Sequence, residues 1–256
     1  MAKKTFFAPA VGALVAALLF GSTSVAAPPA SQPLYRWPAH TVEQRYAGQV
    51  VRTWQKYDKS GHPLAYLTFD DGPDVQTPHI LDTLARFKAR ATFFVVGSRI
   101  QDPWGVKLVR REALLGNGIG NHTWDHPNLR NLSLSDVRWE LFTTSNQIIY
   151  DVKAKDVCYR PPYGSYNTSI VAMAGRMGKP TIFWSVDTGD WTGLYAVHIA
   201  DRVISQRHPG MIVLMHDGVA NSAATAKALP SIIVGLRNAG YRLGVMCLPV
   251  KKIGVR

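Results

Sequence analysis

Five short groups of polar residues in this 256-residue sequence have the types and spacing that chemistry requires. Asp70 and Asp71 are adjacent carboxylates before Gly-Pro, and His122 and His126 stand four residues apart. A turn accounts for one Asp, but two adjacent carboxylates repel each other unless a cation compensates them. On a helical turn, the histidine spacing would place both imidazoles on one side. Two histidines with a carboxylate from another strand end form a three-ligand site, which is typical of a catalytic metal. The other groups are Arg160-Pro-Pro-Tyr-Gly164, Asp187-Thr-Gly-Asp190-Trp191 and His216-Asp217.

The elements that must position these groups alternate along the chain. Runs rich in β-branched and aromatic residues predict strands at 64–69, 91–96, 118–121, 157–160, 181–186, 211–215 and 241–246. Helical periodicity predicts helices at 78–88, 104–116, 134–151, 167–177, 195–207 and 223–238, with Ser133 or Ser135 and Asn167 as N-caps. This alternation predicts an α/β fold, a distorted and incomplete (β/α) barrel with about seven parallel strands. An open doubly wound sheet is the alternative.

Each polar group follows or ends a predicted strand. The carboxyl ends of parallel strands converge on one face, where active sites form. Taken singly, Asp190 could belong to an ordinary turn, His216 could be a core histidine, and Arg160 could be a surface residue. Because all five groups fall at strand ends, we expect them to line one pocket, with Arg160 pairing with an ionised Asp.

The amino-terminal segment is typical of a secretory signal peptide. Lys3 and Lys4 precede an apolar run at 6–20, and small residues precede cleavage at Ala26 or Ala27. An uncleaved membrane anchor is the alternative, although the run is short for a span. We therefore predict a signal peptide at 1–27, an arm or linker at 28–63 and a catalytic domain at 64–250. The mature protein would be secreted, in the cell wall or periplasmic.

Bulk charge and cysteine content limit the partners. A net charge of +12 favours attraction to anionic cell-wall polymers. The basic residues are scattered, which disfavours nucleic acid, and no later stretch is apolar enough for stable membrane insertion. We expect a monomer. Cys158 and Cys247 lie in apolar runs on strands that need not be neighbours, so we expect two buried free thiols rather than a disulfide.

The five groups together resemble the motifs of the NodB-homology polysaccharide deacetylases, carbohydrate esterase family four. The resemblance covers about residues 64–250, in the family's order, and also includes Thr68-Phe-Asp-Asp-Gly-Pro73 and Leu214-Met-His216. It implies a distorted (β/α) barrel that hydrolyses N-acetyl groups on N-acetylglucosamine-containing glycans, either chitin oligosaccharides or peptidoglycan. It also implies one divalent metal ion, zinc or alternatively cobalt.

The resemblance further implies a role for each residue. Asp71, His122 and His126 would bind the metal, and Asp70 would be the general base, oriented by Arg160. The backbone N–H of Tyr163 would stabilise the oxyanion. His216 would protonate the leaving amine, and Asp190 would hold the imidazole ring of His216 in place. Trp191 and Leu214 would form the walls of the slot for the acetyl methyl group.

Two other functions remain open. The same groups could cleave esters, as an O-deacetylase acting on acetylxylan. A non-catalytic glycan-binding module is the weaker alternative, because such a module has no need of both Asp70 and His216.

Overall fold

A computed structural model describes residues 43–248 and 250–251. The predicted signal peptide and the predicted arm up to residue 42 lie outside this range. Among the described residues, no helix combines the length and the apolar character needed to cross a bilayer.

The described chain alternates strands and helices, as predicted. The strands are β1 Val50–Val51, β2 Leu64–Asp70, β3 Thr92–Val95, β4 Gly118–Asn121, β5 Ala154–Lys155, β6 Thr181–Ile182, β7 Val186–Asp187, β8 Met211–His216, β9 Arg242–Gly244 and β10 Val250–Lys251. The helices are α1 Thr77–Arg86, α2 Pro103–Leu114, α3 Leu134–Val152, α4 Thr168–Arg176, α5 Ala196–Ser205 and α6 Ser222–Asn238.

Strand β2 is the central strand of the main sheet, and all seven of its residues are buried. It pairs in parallel with β8 along one edge. Its other edge is shared, because β9 pairs with its first half and β3 with its second half. Strand β4 extends the sheet beyond β3, and β7 extends it beyond β8, both in parallel.

The far side of the ring is joined more loosely. Tyr159 forms single parallel bridges to Asn121 at the end of β4 and to Thr181 in β6. The segment that begins with β6 then reaches β8 through β7. The predicted α/β fold, a distorted barrel with mostly parallel strands, is therefore confirmed.

Helix positions are the most accurate part of the sequence prediction. All six predicted helices are present, and their ends lie within two residues of the predicted ones. Ser133 caps α3 by accepting a hydrogen bond from the N–H of Asp136, and Asn167 caps α4 by accepting one from Ile170. Strong helical periodicity and capping residues are local signals, which explains this accuracy.

The strand prediction was wrong at two places. The segment 157–160 forms no ladder and pairs only through the Tyr159 bridges. The predicted strand 181–186 is divided into β6 and β7. In addition, β1 lies inside the predicted arm and pairs with β6, and Trp54 donates a hydrogen bond to the carbonyl of Gly210. The latter part of the arm therefore packs on the barrel.

The expectation of two free thiols was also wrong, because Cys158 and Cys247 form a disulfide. Their Cα atoms are 5.7 Å apart. Both segments lie against β4: Asn121 donates its N–H to the carbonyl of Cys158, and Ile119 donates to that of Cys247. The two cysteines meet because each flanks the same strand, although their own segments do not pair in a ladder.

The disulfide generates a stability prediction. Replacing both Cys158 and Cys247 by Ser should lower the free energy of unfolding by about 4 kcal/mol, because the crosslink closes a loop of 89 residues in the unfolded chain. Urea unfolding of the oxidised wild type and the double variant measures the difference. The assignment is refuted if the unfolded, unreduced wild type contains two titratable thiols.

Candidate active site

One pocket of about 480 Å³ opens at the carboxyl ends of the barrel strands. It is lined by Asp70, Asp71, His122, His126, Pro161, Tyr163, Gly164, Trp184, Asp187, Trp191, Leu214, His216 and Val219. Of the ten residues that the sequence analysis assigned a role, eight line the pocket, while Arg160 and Asp190 are buried behind it. The expected convergence of the strand ends therefore takes place.

Asp71, His122 and His126 form a compact cluster whose candidate ligand atoms all lie within 4.8 Å of one another. The Nε2 atoms of His122 and His126 are 3.2 and 3.0 Å from Asp71 Oδ1. Burial alone would raise the pKa of Asp71, but positive charge on the two imidazoles that contact it would hold that pKa well below its usual range. The site therefore favours an ionised carboxylate when positive charge lies beside it.

The hydrogen bonding of this cluster fits a cation. His122 Nδ1 lies 2.7 Å from the carbonyl oxygen of Arg160, which accepts only, so Nδ1 carries the proton of the neutral ring. His122 Nε2 then presents a lone pair to Asp71 Oδ1, a buried oxygen without a hydrogen-bond partner among the described residues. Two lone pairs that face each other are stabilised by a positive ion between them. Two imidazoles and one carboxylate are a donor set that zinc accepts.

The two histidines do not lie on a helical turn, because the segment after β4 is an irregular loop. Thr123 and His126 both have positive φ angles, of 69° and 63°. The loop is fixed from α3, where the buried carboxylate of Glu140 accepts hydrogen bonds from the N–H groups of Trp124 and Asp125. The imidazoles converge because of this loop geometry, with ring centroids 5.0 Å apart.

Asp70 is held by an arginine that is removed from solvent. Arg160 Nη1 donates to Asp70 Oδ1 at 2.7 Å and to the hydroxyl of Thr68 at 2.8 Å. Arg160 is fully buried, and Asp70 is 3% exposed. This contact occupies one carboxylate oxygen and keeps Asp70 oriented at the pocket wall.

His216, at the end of the neighbouring strand β8, is held in a similar manner by a buried partner. Its Nδ1 lies 2.7 Å from Asp190 Oδ1, and Asp190 Oδ2 accepts hydrogen bonds from the N–H of His216 and the hydroxyl of Thr225. Burial alone would lower the pKa of His216, but Asp190, with further contributions from Asp70 and Asp71, raises it to about 9. The contact with Asp190 thus favours the protonated imidazole and leaves Nε2 as the nitrogen that faces the pocket.

The pocket mouth carries exposed aromatic side chains. Tyr163 is 71% exposed and has a φ of 57°, and its hydroxyl lies 3.2 Å from His126 Nδ1. Trp191 is 57% exposed, whereas Leu214 is buried in the pocket wall. Flat aromatic faces beside a polar pocket are suited to the apolar faces of a sugar ring.

The sequence analysis assigned no individual role to three residues at this site. The hydroxyl of Thr68 accepts a hydrogen bond from Arg160. Trp184, which lies between β6 and β7 in the chain, lines the pocket. Asp217 follows His216, and burial together with the carboxylates of Asp71 and Asp70 raises its pKa to about 7. Thr68 and Trp184 lie inside apolar runs. Only the alternation of side chains between the two faces of a strand could have distinguished them from core residues.

Comparison with known proteins agrees with the geometry. The family model for polysaccharide deacetylases matches residues 57–182. A chitooligosaccharide deacetylase of Sinorhizobium fredii is 35% identical over 71% of this chain and 89% of its own length. The chain belongs to the polysaccharide deacetylase family. The resemblance drawn from the motifs is therefore confirmed, and the deacetylases of this family use a divalent metal.

Two further polysaccharide deacetylases show the range of relatives. The peptidoglycan-N-acetylglucosamine deacetylase PgdA of Listeria monocytogenes is 37% identical over 79% of this chain, which spans only 42% of that protein. The crystal structure of the Bc1960 peptidoglycan N-acetylglucosamine deacetylase, bound to 4-naphthalen-1-yl-N-oxidanyl-benzamide, matches with a TM-score of 0.72 and 32% identity. It covers 79% of this chain and 92% of the other.

The cluster generates a prediction about metal binding. Replacing Asp71, His122 or His126 by Ala should reduce zinc bound after dialysis to background, because two ligands rarely hold the ion alone. Elemental analysis and chelator competition measure this. Asp187→Asn is the matched control, since Asp187 lines the same pocket outside the cluster, and it should bind zinc as the wild type does. Stoichiometric zinc in the Asp71→Ala protein would contradict the assignment.

Proposed function

We propose that this polysaccharide deacetylase hydrolyses N-acetyl groups on N-acetylglucosamine-containing glycans, with one divalent metal bound by Asp71, His122 and His126. The observation that carries the proposal is the register of the central ladder. Asp70 on β2 and His216 on β8 are paired neighbours, and both line the pocket beside the three-ligand cluster. A base, an acid and a cation site therefore meet around one position.

Amide hydrolysis begins with activation of water, and Asp70 is the proposed general base. The bond from Arg160 leaves Asp70 Oδ2 to accept the proton of a water in the pocket. When bound, the ion supplies Lewis acidity, which makes that water more acidic and polarises the acetyl carbonyl. Zinc is the proposed ion, and cobalt is the alternative.

His216 is the proposed general acid for the leaving amine. Its contact with Asp190 keeps the ring protonated and in a fixed orientation. An amine is a poor leaving group unless it is protonated, so a positioned acid favours amides over esters. This argument supports N-deacetylation rather than the O-deacetylation of acetylxylan.

The remaining roles concern the acetyl group itself. The backbone N–H of Tyr163 is the proposed donor to the carbonyl oxygen as negative charge develops on it. Trp191 and Leu214 form the proposed slot for the methyl group, and both line the pocket.

The substrate and the setting follow from chemistry around the site. Both chitin oligosaccharides and peptidoglycan contain N-acetylglucosamine, and relatives act on each. The net charge of +12 supports an anionic cell wall as the setting. The Cys158–Cys247 disulfide supports export to an oxidising compartment, in agreement with a signal peptide at residues 1–27.

Acetate release from a substrate panel tests this function. Chitin oligosaccharides or peptidoglycan should release acetate much faster than acetylxylan, because the reaction needs a protonated leaving group. Chelation should abolish the release, and added zinc or cobalt should restore it. Faster turnover of acetylxylan would assign the chain as an O-deacetylase, and glycan binding without any acetate release would favour the binding module.

The acid role of His216 predicts a pH effect. Because Asp190 raises the pKa of His216, His216 should set the alkaline limb of a bell-shaped pH–rate profile, and wild-type activity should fall as the pH rises through that pKa. Asp190→Asn removes the charge that raises the pKa, so the alkaline limb should move to lower pH by about 1 to 3 units. The maximal rate should fall by roughly 10- to 1,000-fold.

Zinc affinity serves as the internal control for Asp190→Asn, since Asp190 contacts none of the proposed ligands. The zinc affinity of the Asp190→Asn protein should equal that of the wild type. If the Asp190→Asn protein loses its zinc while the alkaline limb of its pH profile stays in place, the proposed role is wrong. Asp190 would then belong to the metal site and would not assist His216.

A further inference from the structure

Asp217 stands directly after the proposed acid His216, and its carboxylate packs against the turn that carries Asp70 and Asp71. The side chain is 1% exposed. A Cβ atom built on Gly72 would lie only 2.2 Å from Asp217 Oδ2. The carboxylate therefore occupies the space beside Gly72, and only glycine allows this approach.

The contact is reciprocal between the two turns. A Cβ atom built on Gly218 would lie 2.2 Å from the carbonyl oxygen of Asp71. The N–H of Asp217 also donates a hydrogen bond of 3.1 Å to the carbonyl of Asp70, which extends the β2–β8 ladder by one residue. The segment that leaves β2 after the base is thus interlocked with the segment that leaves β8 after the acid.

Thr77 connects Asp217 to the far end of the same turn. Its hydroxyl donates to Asp217 Oδ2 and accepts a hydrogen bond of 2.8 Å from the N–H of Asp74. Since Thr77 is the first residue of α1, the carboxylate links the end of β8 to the start of that helix. Residues 70–74 are therefore fixed at both ends by groups that meet at Asp217.

The turn needs such support because its backbone is strained. Asp71 has a φ of 71°, a left-handed conformation that is unfavourable for a residue with a side chain. Residues in such conformations persist only where their surroundings hold them. A small relaxation of Asp71 would move its Oδ1 away from His122 and His126 and would also displace the neighbouring Asp70.

We propose that Asp217 is a positioning residue that fixes the 70–72 turn, and through it the base and the carboxylate metal ligand, relative to His216. The inference rests on the proposed function for its catalytic part, whereas its effect on metal binding can be measured without any substrate. The role depends on the shape and hydrogen-bond acceptor of the side chain, so Asn should replace Asp where Ala does not.

Three variants test this role: Asp217→Ala, Asp217→Asn and Thr77→Val. Asp217→Ala should weaken zinc binding by about 10- to 100-fold, the usual effect of losing a group that orients a ligand. Its kcat on a chitin oligosaccharide should fall at least as far, with little change in KM. Asp217→Asn should stay within about threefold of the wild type, and Thr77→Val should lie between the two.

Asp151→Ala is the matched control for loss of a buried carboxylate. Asp151 is 3% exposed, accepts a hydrogen bond from Gln147 near the end of α3 and does not line the pocket. It should lower the melting temperature without changing zinc affinity or kcat. The comparison therefore separates a general loss of stability, which removal of either buried carboxylate would cause, from a loss of positioning, which only Asp217→Ala should cause.

The proposal is overturned if Asp217→Ala keeps zinc affinity and kcat within twofold of the wild type, or if Asp217→Asn is as defective as Asp217→Ala. If Asp217→Ala does not fold, a Thr77→Val protein with wild-type zinc affinity overturns it instead. A wild type that releases no acetate from any glycan refutes the proposed function, while the zinc measurements still decide the role of Asp217.

Discussion

A guanidinium group removed from water must find an acceptor in each direction in which its N–H groups point, and Arg160 satisfies this condition inside the barrel. It donates to the carbonyls of Ile182 and Phe183 and to the side chains of Thr68 and Asp70. Its guanidinium carbon also lies 4.1 Å from the centroid of the Phe94 ring. Removing one partner of a buried charge pair costs about 3–5 kcal/mol, so the strand ends around Arg160 tolerate little displacement. The same residue accepts the Nδ1 proton of His122, which joins the metal cluster to this network.

Each polar group at the pocket surface has a buried partner that decides which of its atoms is free. Asp190 binds one nitrogen of His216, and Arg160 binds one oxygen of Asp70. The motifs made the identity of the pocket residues predictable, because polar groups after strands of a parallel sheet converge whatever the details of closure. They did not reveal the conformation of the histidine loop. That loop depends on Glu140, which is 14 residues beyond His126 and whose role has no local signal.

The elements of the fold were likewise predictable where their signal is local, and unpredictable where they depend on distant segments. Helices were predictable because periodicity and caps act within one segment, as Ser133 does for α3. Two-residue strands such as β1 have no periodicity to read, and they form only because a partner edge is present. The Cys158–Cys247 pairing was unpredictable for a related reason. It depends on both segments packing beside β4, which is a property of the assembled barrel and not of either segment.

The position of this disulfide sets an order of events during biogenesis. Cys158 lies two residues before Arg160, whereas Cys247 follows β9, which completes one edge of the central strand β2. A chain that emerges from its amino terminus can close this crosslink only after residue 247 has left the exit site. Until then, the segment leading into Arg160 is not crosslinked to the end of the chain. A chain interrupted before residue 247 would therefore contain every residue that lines the pocket but could not form this crosslink.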